Sequence, residues 1–284
     1  MESQEAQASF TEIRPLLEAL PDEDAAAAAA IAARLEEGTG KSDGADFFDA
    51  LLAWMAGWQG RGAPRLDRPR AAVFLGRYGS GDAAYPDERL RRFVDGEARV
   101  AALCRQFDAE LRVFDMATGA DDDPAALTEA GCATAMAYGM TAVDDGLDLL
   151  CVAASGPGVE AAAASLARDV AGGTGGDPLD ALRRQGGHAL AAVAGAVLAA
   201  RMGRVPVVID GFAATAAAAV LQAMTASVLD HCLIARVETG TPHRDLLDRL
   251  GKEPLIDLGM PLEEGCGALL SLAALRAALA CVNS

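Results

Sequence analysis

Five short apolar runs punctuate the chain: Ala71-Ala72-Val73-Phe74-Leu75, Leu111-Arg112-Val113-Phe114, Leu149-Leu150-Cys151-Val152, the run 205–209, and Leu233-Ile234-Ala235. Runs this short, apolar without alternation, suit strands buried on both faces of a parallel sheet. Between them the apolar spacing changes to a helical period, over 87–107, 128–145 and 189–202. Ahead of the first run a helical pattern covers 10–37, with a break at Pro21-Asp22 where Asp22 and Asp24 offer capping oxygens. It resumes over 46–58, and a connector rich in Pro, Arg and Gly follows over 61–70. Strands alternating with helices predict an α/β fold, a parallel sheet with helices on both faces.

Composition narrows the picture. Apolar residues make up 52 % of the 284, much of that alanine, and aromatics only 5 %, so helices should pack closely through small side chains. The net charge of −17 repels phosphate backbones and anionic lipid, which argues against nucleic acid and membrane as partners. An anionic small molecule is still admissible, because backbone amides can hold a phosphate inside a negative protein. Six cysteines, none in a CxxC pair and all in apolar surroundings, predict buried reduced thiols. The first residues are acidic and lack a basic-then-apolar signal, and the apolar run 189–200 is shorter than the roughly 20 residues a bilayer span needs. A cytoplasmic protein is expected.

Several motifs invite chemistry. Gly40-Lys41-Ser42 lacks the upstream glycine and the preceding strand of a nucleotide-phosphate loop. The cluster Gly172-Gly173-Thr174-Gly175-Gly176 has exposed amides and a hydroxyl suited to a phosphate, although a flexible helix-to-helix loop would read the same. The histidines, His188, His231 and His243, share no metal-ligand spacing, so no metal is expected. Further turns follow the strands: Gly76-Arg77-Tyr78-Gly79, Ser155-Gly156-Pro157-Gly158 and Asp210-Gly211-Phe212, where open parallel sheets bind ligands. Glu263-Glu264, in a glycine-flanked turn between apolar segments, could be a desolvated proton acceptor or a helix-start acid favoured by the dipole.

A series of segments in constant order then carries a resemblance. Pro254-Leu255-Ile256-Asp257-Leu258-Gly259-Met260, Leu262, Glu264-Gly265 and Gly267-Ala268 resemble the C-terminal signature PLLDLGMRLGEGTGA of the nicotinate-nucleotide:dimethylbenzimidazole phosphoribosyltransferase family. Val207-Val208-Ile209-Asp210-Gly211-Phe212 is similar to its V-x-x-DGF segment, and Gln185-Gly186-Gly187 with 191–196 to its VGGxEIAAMAGA helix. Ala84-Tyr85-Pro86 resembles its SAYP, Trp54 with Ala56-Gly57-Trp58-Gln59-Gly60 the end of an N-terminal helix, and Gly173-Thr174-Gly175 its GTG loop.

The resemblance implies a Rossmann-like parallel sheet plus a small helical domain built from the chain ends. The helical segments 1–60 and 261–284 would form the small domain around a main α/β domain over 61–260. It implies phosphoribosyl transfer from nicotinate mononucleotide to dimethylbenzimidazole or a related base, for the lower ligand of cobalamin, without a cofactor and in a homodimer. Glu264 would be the catalytic base. Gly173, Thr174 and Gly175 would cradle the phosphate, and Gly156, Gly158, Tyr85, Asp87, Asp210, Leu262 and Gly265 would line the substrates. Some family positions differ: Ala154 and Ala189 replace acids, Arg77-Tyr78 an Asp-His pair, Asp87 a glutamine and Pro261 an arginine. Those replacements motivate an alternative, a catalytically impaired relative serving as a nucleotide-binding or partner subunit.

Overall fold

A computed structural model describes residues 8–39, 47–79, 85–116, 127–171, 176–256, 259, 262 and 265–282. Five strands form one parallel sheet: β1 (Pro69–Leu75), β2 (Glu110–Asp115), β3 (Leu149–Ser155), β4 (Val207–Asp210) and β5 (Cys232–Ile234). Their order is β2-β1-β3-β4-β5. Each grows from one of the five apolar runs, and β1 and β3 are buried at every position, as strands covered on both faces must be.

Twelve helices accompany them among the described residues. One face of the sheet carries α6 (Glu129–Met140), α7 (Val159–Ala171), α8 (Pro178–Gln185), α9 (Gly187–Met202) and α10 (Phe212–Met224), with α1 (Phe10–Glu18) laid against α6 and α9. The other carries α2 (Ala25–Thr39), α3 (Phe47–Gln59), α5 (Arg99–Gln106) and α12 (Cys266–Val282). The remaining two are α4 (Tyr85–Val94) and α11 (His243–Leu250). Helices from the two chain ends therefore meet in part: α12 packs on α3, whereas α1 lies across the sheet.

Local chemistry sets the boundaries. The Asp24 carboxylate accepts from the Ala27 amide at 3.0 Å and starts α2, and Thr128 Oγ1 does the same for α6 through Gly131. The helical pattern over 87–107 proves to be two helices, because the chain turns at Asp95-Gly96, where Gly96 takes φ 71°. The pattern over 128–145 ends early, with α6 stopping at Met140. Its tail instead supplies Asp144, which with Glu110 binds the buried Arg70 at 2.7 and 2.6 Å.

Alanine and glycine let α6 and α9 approach backbone to backbone. A Cβ at Gly139 would stand 1.9 Å from the Ala192 carbonyl oxygen, and one at Gly195 1.9 Å from that of Met136. At the amino edge of the sheet, buried Asp148 ties down the connector before β1. Its carboxylate accepts from Arg61 Nη1 at 3.1 Å and from the amides of Asp67 and Arg68 at 3.0 and 2.9 Å. Among the described residues, no helix is long and apolar enough to cross a membrane.

The cysteines depart from the expectation at one position. Cys104, Cys132, Cys151, Cys232 and Cys266 are buried, but Cys281 is exposed, because α12 buries Leu272, Leu275 and Ala278 and turns Ala273, Ala277 and Cys281 outward. Burial pushes the thiols of Cys104, Cys132 and Cys232 up to about 12. A disulfide reagent at pH 8 is therefore expected to label one thiol quickly in the native protein and all six after denaturation. Cys281→Ser should remove the fast phase, and a second fast thiol would contradict the packing.

Candidate active site

The sheet order reverses between β1 and β3, and open parallel sheets bind ligands at the carboxyl ends of such strands. There the two outgoing segments are bonded to each other. The Gly76 amide donates to the Ser155 carbonyl at 2.8 Å, and the Tyr78 amide to that of Pro157 at 2.9 Å. Two glycines make the crossing possible. Gly156, at φ 138°, would place a Cβ 1.7 Å from the Gly76 oxygen, and Gly158, at φ 75°, would place one 2.7 Å from the Tyr78 oxygen.

On the α9 side of this crossing, Tyr78 fills the crevice. Its ring lies over Gly187, where a Cβ would come within 2.5 Å of it. Its hydroxyl donates to the Gly186 carbonyl at 2.9 Å and accepts from the Ala189 amide at 3.1 Å, capping the first turn of α9. Ala189 is buried beside it, with its Cβ 2.9 Å from where one on Gly76 would stand, and Ala154 is buried on the same face. These two alanines lie in a region closed by the tyrosine ring.

The α12 side is organised by a buried carboxylate. Asp210 ends β4 with its side chain fully buried; Oδ1 lies 3.0 Å from Arg236 Nε in an ion pair without linear hydrogen-bond geometry. Oδ2 accepts from the Gly267 amide at 2.9 Å, fixing the start of α12. Arg236 also donates from Nη2 to the Leu262 carbonyl at 3.2 Å. Gly265, at φ 85°, sits against Val73 of β1, Ala153 of β3 and Val100, all within 4 Å of where its Cβ would be. A side chain at Gly267 is excluded, since its Cβ would lie 2.5 Å from Asp210 Oδ1. Burial raises the Asp210 pKa, against the opposing pull of Arg236 and of the Gly267 and Ala268 amides.

The expected site residues thus fall into three groups. Gly156 and Gly158 come together at the strand crossing, Asp210 and Leu262 come together through Arg236, and Gly265 sits nearby against β1 and β3. Tyr85 and Asp87 lie in α4, with side chains outside the described residues. Glu264, its neighbour Glu263, and Gly173, Thr174 and Gly175 lie outside the described residues, as does Gly40-Lys41-Ser42. No group of three or more His, Cys, Asp or Glu capable of holding a metal occurs among the described residues.

Comparison with known proteins supplies the family context. A family model described as Phosphoribosyltransferase matches residues 20–175 and 170–284. The nicotinate-nucleotide–dimethylbenzimidazole phosphoribosyltransferase of Rhizobium rhizogenes is 38 % identical, over 96 % of this chain and 93 % of that protein. The Brucella anthropi protein of the same name is 36 % identical over the same shares. The crystal structure of the Thermus thermophilus protein of that name superposes with a TM-score of 0.81 at 24 % identity, covering 92 % of this chain and 96 % of its own, which establishes the fold.

Sequence reasoning missed Arg236, Glu238 and the buried pair Thr215–His243. The clue at Arg236 is a base directly after the apolar run that forms β5. Glu238 Oε2 accepts the Phe212 amide at the start of α10. The Glu238 amide donates to His243 Nδ1 at 3.0 Å, while Nε2 lies 2.9 Å from Thr215 Oγ1. The single Thr215 hydroxyl proton goes to the Gly211 carbonyl, so Nε2 must carry the imidazole proton. A second proton on Nδ1 would face an N–H.

Burial, reinforced by Arg236 and Arg244, accordingly lowers the His243 pKa to about 4, and burial with Arg201 lowers that of His231 to about 3. Both folded values lie below the unfolded value, so the unfolded chain binds more protons as pH falls below about 6.5. Stability is then full above that pH and declines toward the folded pKa values. Urea unfolding is expected to show a loss of about 3 kcal/mol between pH 7 and pH 5.5, half of it absent in His243→Gln. A flat profile across that interval would refute the buried neutral histidines.

Proposed function

The chain belongs to the nicotinate-nucleotide–dimethylbenzimidazole phosphoribosyltransferase family, and on that premise we propose that it transfers phosphoribose from nicotinate mononucleotide to dimethylbenzimidazole or a related base. The reaction replaces the bond between the anomeric carbon and the nicotinate nitrogen with one to a nitrogen of the incoming base. Nicotinate departs with the bonding electrons, and the attacking base must lose a proton. A carboxylate beside that nitrogen accepts it.

We assign this task to Glu264. The observation that carries the assignment is the anchoring of both its flanks, Leu262 through Arg236 and Gly265 against β1 and β3. We assign the phosphate to Gly173, Thr174 and Gly175, whose amides suit an anion. Gly156 and Gly158 would lie under the ribose, and Tyr85, Asp87, Leu262 and Gly265 would border the base. Asp210, with both carboxylate oxygens already engaged, would hold the Glu264 turn in place. In this reading α2, α3 and α12 make up the small helical unit beside the site, the protein is a homodimer, and it works in the cytoplasm on small molecules as part of cobalamin lower-ligand synthesis.

Incubating the protein with nicotinate mononucleotide and dimethylbenzimidazole should release nicotinate. Glu264→Ala should lower kcat by about 10²-fold or more, with a smaller change in KM. Absence of release with any benzimidazole-type base, at high protein concentration, would overturn the assignment. Sedimentation equilibrium should return twice the chain mass; a monomer at micromolar concentration would remove the dimer.

A further inference from the structure

At the amino edge of the sheet, opposite the strand crossing, a cavity of about 710 Å³ opens between α2, α3 and the segments entering β4 and β5. Its lining includes Trp54, Trp58, Arg201, Lys252 and Asp230. The volume is that of a small-molecule site.

Arg201 is its unusual member. It closes α9 and is 1 % exposed, stacked 4.2 Å above the Trp58 ring. Its Nε and Nη1 make no hydrogen bond, and Nη2 has only the Asp22 carboxylate at 3.9 Å, on a side chain 96 % exposed. Glu23 and Asp230 act on it through space without bonding to it. His231, at the far edge of Trp58, donates to the Val197 carbonyl and carries no charge near pH 7. Lys252 directs Nζ to the carbonyls of Leu229 and Cys232. A guanidinium buried with two idle donors is costly unless an acceptor reaches it.

We propose that this cavity binds a small aromatic carboxylate, its carboxyl group on Arg201 and its ring against Trp54, while Trp58 backs the guanidinium. An acceptor of full negative charge satisfies a buried guanidinium best, and a planar indole wall favours a planar ring. The acids at the rim, Asp22, Glu23 and Asp230, select against polyanions, so a monocarboxylate fits better than a phosphate ester. The site is separate from the strand crossing and does not depend on the transfer reaction.

The test uses the fact that Trp54 and Trp58 are the only tryptophans of the chain, so intrinsic indole fluorescence reports this cavity alone. Titrating the full-length protein with benzoate should give a saturable change, with Kd in the millimolar range or tighter, and isosteric benzamide should give none. Arg201→Gln should weaken benzoate at least about ten-fold. Ala53→Leu, which adds bulk to the cavity from α3 and leaves the Arg201 side chain in place, should abolish the response while far-UV circular dichroism and nicotinate release persist. Absence of a saturable response, an equal response to benzamide, or a response that survives both substitutions would overturn the proposal. None of these results depends on whether nicotinate is released.

Discussion

The carboxyl end of the sheet is organised around one ion pair removed from water, Asp210 with Arg236. A lone carboxylate at that depth would be untenable, and burial already raises its pKa. It is sustained by a guanidinium on one oxygen and the Gly267 amide, in the first turn of α12, on the other. The same guanidinium reaches the Leu262 carbonyl. Loss of either charge would therefore strand its partner and release the turn before α12 at once. Such pairs contribute little net stability compared with apolar substitutes, but they fix geometry, and here they fix Leu262 and the start of α12.

The two faces of the strand crossing have opposite characters. On the α9 face the space between the loops is taken up by Tyr78, whose hydroxyl serves both a carbonyl and a helix-start amide. Buried Ala154 and Ala189 stand nearby, and the Ala189 methyl leaves no room for a side chain at Gly76. On the α12 face Gly265 and Gly267 bring the backbone close against Val73, Val100, Asp210 and Arg236. Leu262 and Gly265, which flank Glu264 in the sequence, are both held on this face. Ala154 and Ala189 lie on the sealed α9 face, and the anchoring of Leu262 and Gly265 does not involve them.

Much of the fold was legible because burial on both faces leaves a plain mark, a short unbroken apolar run, and all five runs became strands. The split at Asp95-Gly96 was harder to see, since the apolar period continues across it and only the positive φ of Gly96 reveals the turn. The exposure of Cys281 was within reach, because the helical phase set by Leu272 and Leu275 points it outward. The site was legible only in fragments. Asp210 ends β4 and Arg236 lies two residues beyond β5, and the parallel pairing of those strands brings them together, which no local pattern encodes. Likewise Trp58 and Arg201 lie at the ends of α3 and α9, and they stack only because both helices finish at the amino edge of the sheet.

Charge explains why the two edges differ. A chain of net charge −17 that handles a phosphate must hold it without much formal positive charge. Its buried arginines are largely committed elsewhere: Arg70 to Glu110 and Asp144, and Arg236 to Asp210. Glycine amides and helix starts, which carry partial charge and bring no long side chain, are then the natural means at the carboxyl edge. At the amino edge the situation reverses. Arg201 keeps a full charge in a walled cavity with no carboxylate bonded to it. The carboxyl edge is thus equipped with partial charges and the amino edge with one buried full charge.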